Sequence, residues 1–166
     1  MKTMTQATRY VFRLFLLATL LQLPGIIVFA QYDNNWYFGR KAALNFSTGT
    51  PQVITNSSLQ TMEACASISD ENGQLLFYTN GVDVYDRSNT LMVNGSNLGG
   101  DISSCQMSIV PAPGNPNLFY IFTSDAFEND FINGYRYSTL DMSMNGGLGA
   151  VTSKNNLLWS SSTERM

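Results

Sequence analysis

The chain contains no histidine, only two cysteines, and few charged residues, which make up 13% of its length. Without histidine it cannot form Ser–His–Asp or Cys–His catalytic arrangements or histidine-containing zinc sites. Cys65 and Cys105 lie forty positions apart, which is not the spacing of a metal site. A phosphate-binding loop is also missing, because Gly146–Gly149 has no helix pattern behind it. A pair of carboxylates is the only catalytic route left.

The first thirty residues differ in kind from the rest. Their only charges are positive and belong to Lys2, Arg9 and Arg13. An apolar run over Leu14–Leu23 follows, and Val28 and Ala30 occupy the positions where signal peptidase prefers small residues. We therefore predict a secretion signal at 1–30 that is cut between Ala30 and Gln31.

The alternative for this segment is an uncleaved membrane anchor. Gln22, Pro24 and Gly25 interrupt the apolar run, which disfavours an anchor. We therefore expect an exported protein with no stable membrane span after cleavage and with one domain over residues 31–166.

Cleavage would change the charge balance. Three of the nine basic residues are lost and all twelve acidic ones remain, so the mature part carries a net charge of about −6. This argues against nucleic acid or an anionic membrane as a partner. In an oxidising compartment Cys65 and Cys105 would form one disulfide, and in the cytosol they would be two buried thiols. Because export is predicted, we expect the disulfide.

After Gln31 the pattern has period two, and turn residues recur about every eight to twelve positions. No window repeats apolar residues every 3.6 positions, so an all-β fold is predicted. Asp70–Gly73, Asn80–Gly81 and Asn94–Gly95 are predicted hairpin turns. The strands expected before the Pro-rich loop at 111–117 are Trp36–Gly39, Ala43–Phe46, Glu63–Ser69, Gln74–Thr79, Val82–Tyr85 and Leu91–Val93.

A meander then recurs. The segments Ala66–Ile68 and Leu76–Thr79 have counterparts in Met107–Ile109 and Leu118–Thr123, and Gly134–Asp141 follows as a third strand. A period of about 40 residues with short strands is the spacing of a propeller blade. The pattern favours a partial β-propeller of about three blades over a β-sandwich, which would give similar strand spacing.

Several segments carry a resemblance to a known family, and together they cover nearly all of 35–165. They are Asn35–Gly39, Glu63–Asp70, Asn72–Gly81, Pro111–Asn117, Leu118–Thr123, Tyr135–Ser138, Asp141–Met142 and Asn145–Gly149. In this order they resemble the N-terminal β-propeller region of large secreted proteins of gliding bacteria. Those proteins end in a gliding-motility-associated C-terminal domain, the type B sorting signal of the type IX secretion system.

The resemblance implies a non-enzymatic propeller that is surface-attached or released, with a surface protein or a glycan as its unidentified partner. It also implies further blades and a C-terminal sorting domain in a full-length parent. About three blades are fewer than the four to eight that protect the edges of a propeller. The chain is therefore expected to be a fragment of marginal stability. Without the sorting domain it would reach the periplasm, whereas the parent would reach the cell surface.

The competing function is a secreted glycan hydrolase that uses two carboxylates. Glu63 lies near the start of a predicted strand, and five further acidic residues lie at strand ends: Asp70, Asp83, Asp86, Asp101 and Asp125. Acidic residues at such positions are usually turn formers. The sequence therefore favours a binding module.

Two binding features are also predicted. Asp125, Glu128, Asn129 and Asp130 form an acidic loop whose oxygen ligands would suit Ca²⁺, although the spacing of an EF-hand is absent. An acidic surface loop without metal is the alternative. The adjacent rings of Trp36 and Tyr37 could stack against a sugar, or they could belong to the core.

Overall fold

The computed structural model describes residues 31–104 and 107–163. The predicted signal at 1–30, the cleavage-site residue Ala30 and Cys105 lie outside the described residues, so the signal and the cut stay predictions. The described part is all-β, as the sequence predicts. No helix in it is long and apolar enough to span a bilayer.

The strands form three antiparallel sheets, in each of which consecutive strands pair. The first sheet consists of β1 (Asn35–Phe38), β2 (Ala42–Asn45) and β3 (Gln52–Ile54). The second consists of β4 (Ala66–Ser69), β5 (Leu75–Thr79) and β6 (Val84–Asp86). The third consists of β7 (Met107–Pro111), β8 (Leu118–Ser124), β9 (Tyr135–Asp141) and β10 (Ala150–Trp159). Short 3₁₀ turns lie at Phe127–Asn129 and Asn145–Gly147. Within the described ranges none of the sheets is closed.

The hairpin turn between β4 and β5 is where the sequence places it. The Asp70 carboxylate accepts hydrogen bonds from the amides of Asn72 and Gln74, both at 2.9 Å. Gly73 has a φ of 78°, a left-handed conformation that glycine adopts without strain. The side chain of Asn80 organises the next turn in the same way by accepting from two amides. Turn chemistry thus fixes the meander of the second sheet.

The sequence pattern does not predict β3 or β10. β10 is the longest strand, but the run Lys154–Asn156 breaks its apolar alternation. Its pairing with β9 shifts register at three points, and Asn155 has a φ of 63°. Such bulges insert residues that a period of two cannot accommodate, which explains why the pattern failed here.

Two predicted strands differ from the observed ones. Leu91–Val93 is not a strand and takes part only in isolated bridges, one of which joins Leu91 to Tyr85. The predicted strand Glu63–Ser69 begins at Ala66, because the backbone amide of Glu63 bonds to the carbonyl of Ile102 instead of to a neighbouring strand.

The second sheet lies between the other two, and each of its faces contributes to a core. Phe77 of β5 is fully buried and meets the ring of Phe119 of the third sheet edge-on, with centroids 5.4 Å apart. On the opposite face, Tyr78 stacks on Tyr37 of the first sheet, with centroids 4.1 Å apart. Because consecutive residues of a strand point to opposite faces, one strand supplies the centre of both cores.

The first strands of the first and second sheets run in opposite directions. Ser69 donates its amide to the carbonyl of Tyr32 at 2.9 Å, and Ser67 donates its hydroxyl to the carbonyl of Asn35 at 2.6 Å. The residue number rises on one strand as it falls on the other, so β1 and β4 are antiparallel.

The segments that precede β4 and β7 are related differently. Here the amides of Glu63 and Ala64 bond to the carbonyls of Ile102 and Ser104, so both numbers rise together. The two neighbouring pairs of sheets are therefore related in different ways, and the propeller stays a prediction.

Candidate functional site

The predicted Ca²⁺ loop is organised by the carboxylate of Asp125, which is fully buried. One oxygen accepts from the amide of Ala126 and the side-chain amide of Asn129, both at 3.0 Å. The other accepts from the amide of Asn133 at 2.8 Å. All three contacts come from donors, so this side chain holds its own loop together.

The other members of the predicted cation set point elsewhere. Asn129 donates hydrogen bonds through its NH₂ group to the carboxylates of Asp125 and Asp101, so its nitrogen and not its oxygen faces them. Glu128 accepts from the hydroxyl of Ser103 at 3.3 Å, and Asp130 is exposed at the end of the 3₁₀ turn. Among residues 31–104 and 107–163, no three His, Cys, Asp or Glu side chains are grouped to hold a metal ion. A Ca²⁺ site at this loop stays a prediction.

Asp101 anchors this loop to the segment before β7. Partial burial alone would raise the pKa of Asp101, but hydrogen bonds from the amide and hydroxyl of Ser103 and from Asn129 outweigh that effect. The net result is a pKa below the ordinary aspartate value.

This lowered pKa predicts loss of stability in acid. A depressed folded-state pKa stabilises the protein above the unfolded value of about 3.9, and the gain is lost as pH falls through the folded value. We expect the urea midpoint to fall less between about pH 5 and pH 3 for Asp101→Asn than for the parent. Equal losses in the two proteins would contradict this role of Asp101.

Of the two aromatic residues predicted to stack against a ligand, one is buried and the other is exposed. Tyr37 is 5% exposed and stacked on Tyr78, so its ring is packed in the core, the alternative given for it above. The alternation of β1 turns Trp36 and Phe38 outward instead. Trp36 is 53% exposed and lies 4.9 Å, centroid to centroid, from the ring of Phe46. Only Trp36 of the predicted pair can offer a ring to a ligand.

Cys65 lines a shallow groove between β1 and β4 beside Trp36 and Phe38. Burial raises the pKa of its thiol, and a hydrogen bond with the backbone of Gly39 partly offsets this. Its thiol has no disulfide partner within residues 31–104 and 107–163. Its predicted partner Cys105 lies outside the described residues, so the disulfide stays a prediction.

Three of the candidate catalytic acids, Asp70, Asp86 and Asp101, accept hydrogen bonds within their own turns, whereas Asp83 accepts one from the hydroxyl of Tyr85 at 3.5 Å. Asp86 accepts from the amides of Ser88 and Thr90 at 2.8 and 3.2 Å. Asp70 and Asp101 accept amides two residues ahead in the same way. Such contacts define the Asx turn, and turn formation is the usual role of acidic residues at strand ends. Glu63 is exposed on the segment before β4.

A cleft that sequence reasoning missed lies between the β4–β5 turn and the Pro-rich loop that joins β7 to β8. It encloses about 460 Å³, within the usual range for ligand sites. Its rim includes Asp70 and Glu71, and its floor includes Leu76 and Phe119. No pattern in the sequence could reveal it, because its two walls are some forty residues apart in the chain.

No family model matches the chain, and neither the curated proteins nor the solved structures contain a match. The resemblance to propellers of gliding bacteria therefore stays a prediction.

Proposed function

We propose that the chain is part of an exported, non-enzymatic β-propeller module that binds a surface protein or a glycan, as an adhesin-like or gliding-associated component. The observation that carries the proposal is that four of the six candidate catalytic carboxylates, those of Asp70, Asp86, Asp101 and Asp125, accept hydrogen bonds within their own turns and loops. A carboxylate committed to backbone amides is a poor general acid or base, because its lone pairs are already engaged.

The propeller part of the proposal is supported by the relation between the second and third sheets. Both are meanders of antiparallel strands, the segments that precede β4 and β7 run in the same direction, and Phe77 of the second sheet contacts Phe119 of the third. Their repeat of about 40 residues is that of propeller blades.

The outward-facing surfaces of the first and third sheets also support the propeller part of the proposal. On the first sheet, Trp36 and Val53 share an exposed row and are 53% and 75% accessible. On the third sheet, Tyr120, Phe122 and Tyr137 form a half-buried cluster of rings on the face opposite the core. Apolar side chains on both outer faces are what neighbouring blades would cover.

The alternative is a glycan hydrolase, for which Glu63 is the best remaining acid. The two functions separate in one experiment in which the full chain is incubated with a glycan array and with soluble oligosaccharides. Retention on the array or on a surface-protein extract, without release of reducing ends, is expected. Release of reducing ends that Glu63→Gln abolishes would overturn the proposal.

A further inference from the structure

We infer that the cleft between the β4–β5 turn and the Pro-rich loop is a docking site for a basic segment of a partner protein. The inference rests on the proposed binding function and narrows its partner to a polypeptide that carries lysine or arginine beside apolar residues.

The cleft is held open by rigid walls. On one side, Asp70 braces the β4–β5 turn through the amides of Asn72 and Gln74. On the other, Pro111 and Pro116 line the cleft, and each proline fixes its own φ. Because both walls are braced in the free chain, a ligand would lose little of its binding energy to ordering them.

The floor of the cleft is apolar. Leu76 lies on it half-buried, and the rims of Phe119 and Met142 reach it although these side chains are only 3% and 6% exposed. Such a floor suits an aliphatic chain laid across it, including the methylene stem of lysine or arginine.

The rim supplies charge of one sign. Asp70 and Glu71 contribute two carboxylates and Asn72 and Asn117 contribute amides, and among residues 31–104 and 107–163 no lysine or arginine lines the cleft. One oxygen of Asp70 is committed to its turn, and Glu71 is exposed with no ion pair among the described residues. A neutral glycan would leave both charges uncompensated, whereas a cation with an aliphatic stem matches the rim and the floor together.

The test uses fluorescence anisotropy with the full chain and two labelled peptides, Gly-Leu-Arg-Leu-Gly and Gly-Leu-Gln-Leu-Gly. We expect the arginine peptide to bind about tenfold more tightly than the glutamine peptide, because two carboxylates face its charge. Glu71→Gln should weaken binding of the arginine peptide about three- to fivefold and leave the glutamine peptide unaffected.

The matched control is Glu128→Gln, which removes the same charge from a loop outside the cleft and keeps an acceptor for Ser103. It should leave both affinities unchanged. Equal affinities for the two peptides, or an equal loss in Glu128→Gln and Glu71→Gln, would overturn the inference. Displacement of the arginine peptide by a neutral oligosaccharide would also overturn it and assign the cleft to a glycan. If one of these results is obtained and the chain is still retained by surface proteins or by the glycan array, only the assignment of the cleft fails and the proposed function stands.

Discussion

Replacing Phe77 by alanine is expected to lower the free energy of unfolding by about 3–5 kcal/mol, which is enough to unfold a domain of marginal stability. Phe77 is fully buried at the centre of the core between the second and third sheets, against Phe119. Truncation removes its burial and leaves a cavity that braced strands on both sides cannot close. Urea denaturation followed by circular dichroism measures the loss.

Val53→Ala provides the control. Val53 is an apolar residue on an edge strand and is 75% exposed, so its truncation should change stability by less than about 0.5 kcal/mol. If Phe77→Ala were as mild as Val53→Ala, the second sheet could not be the middle layer.

The second large effect is expected for Asp125→Ala. The variant leaves the amides of Ala126 and Asn133 and one hydrogen of Asn129 without the acceptor that the buried carboxylate supplies. Hydrogen bonds to a charged group contribute about 1.5–3 kcal/mol each, and their losses overlap within one loop. We expect a net destabilisation of about 3 kcal/mol, measured by the same urea titration.

Asp130→Asn is the matched control, because it removes one negative charge from the same loop at an exposed position. Asparagine tolerates the left-handed φ of 52° found there. Its stability should stay within about 0.5 kcal/mol of the parent. A larger loss in Asp130→Asn than in Asp125→Ala would show that loop charge, and not the buried hydrogen bonds, governs this region.

The sequence predicted most accurately the parts of the fold that depend on local chemistry. Asp70 and Gly73 define the β4–β5 turn from a few neighbouring residues, and Asn80 does the same for the next turn. Alternation likewise predicted that β1 must expose one of its adjacent rings. It could not predict which one, because the burial of Tyr37 depends on Tyr78, forty-one positions later.

The features missed by the sequence depend on tertiary contacts. β10 departs from alternation, since bulges at its polar residues are stabilised by contacts such as that between Lys154 and the carbonyl of Ser96 at 2.9 Å. The sequence predicts the carboxylate of Asp125 as a cation ligand. It does not show the three hydrogen-bond donors that surround this carboxylate in the fold. The cleft exists only because the second and third sheets lie side by side.

The second sheet is the inner layer of the three sheets, and β5 lies at its centre. Amide hydrogen exchange of the full chain, resolved by residue, tests this arrangement most directly. Because β5 pairs on both sides and has Phe77, Tyr78 and Thr79 fully buried, its amides should exchange at the slowest rates in the described part. The amides of the exposed edge strand β3 should exchange much faster. Protection of β5 no greater than that of β3 would contradict this arrangement and the functional arguments built on it.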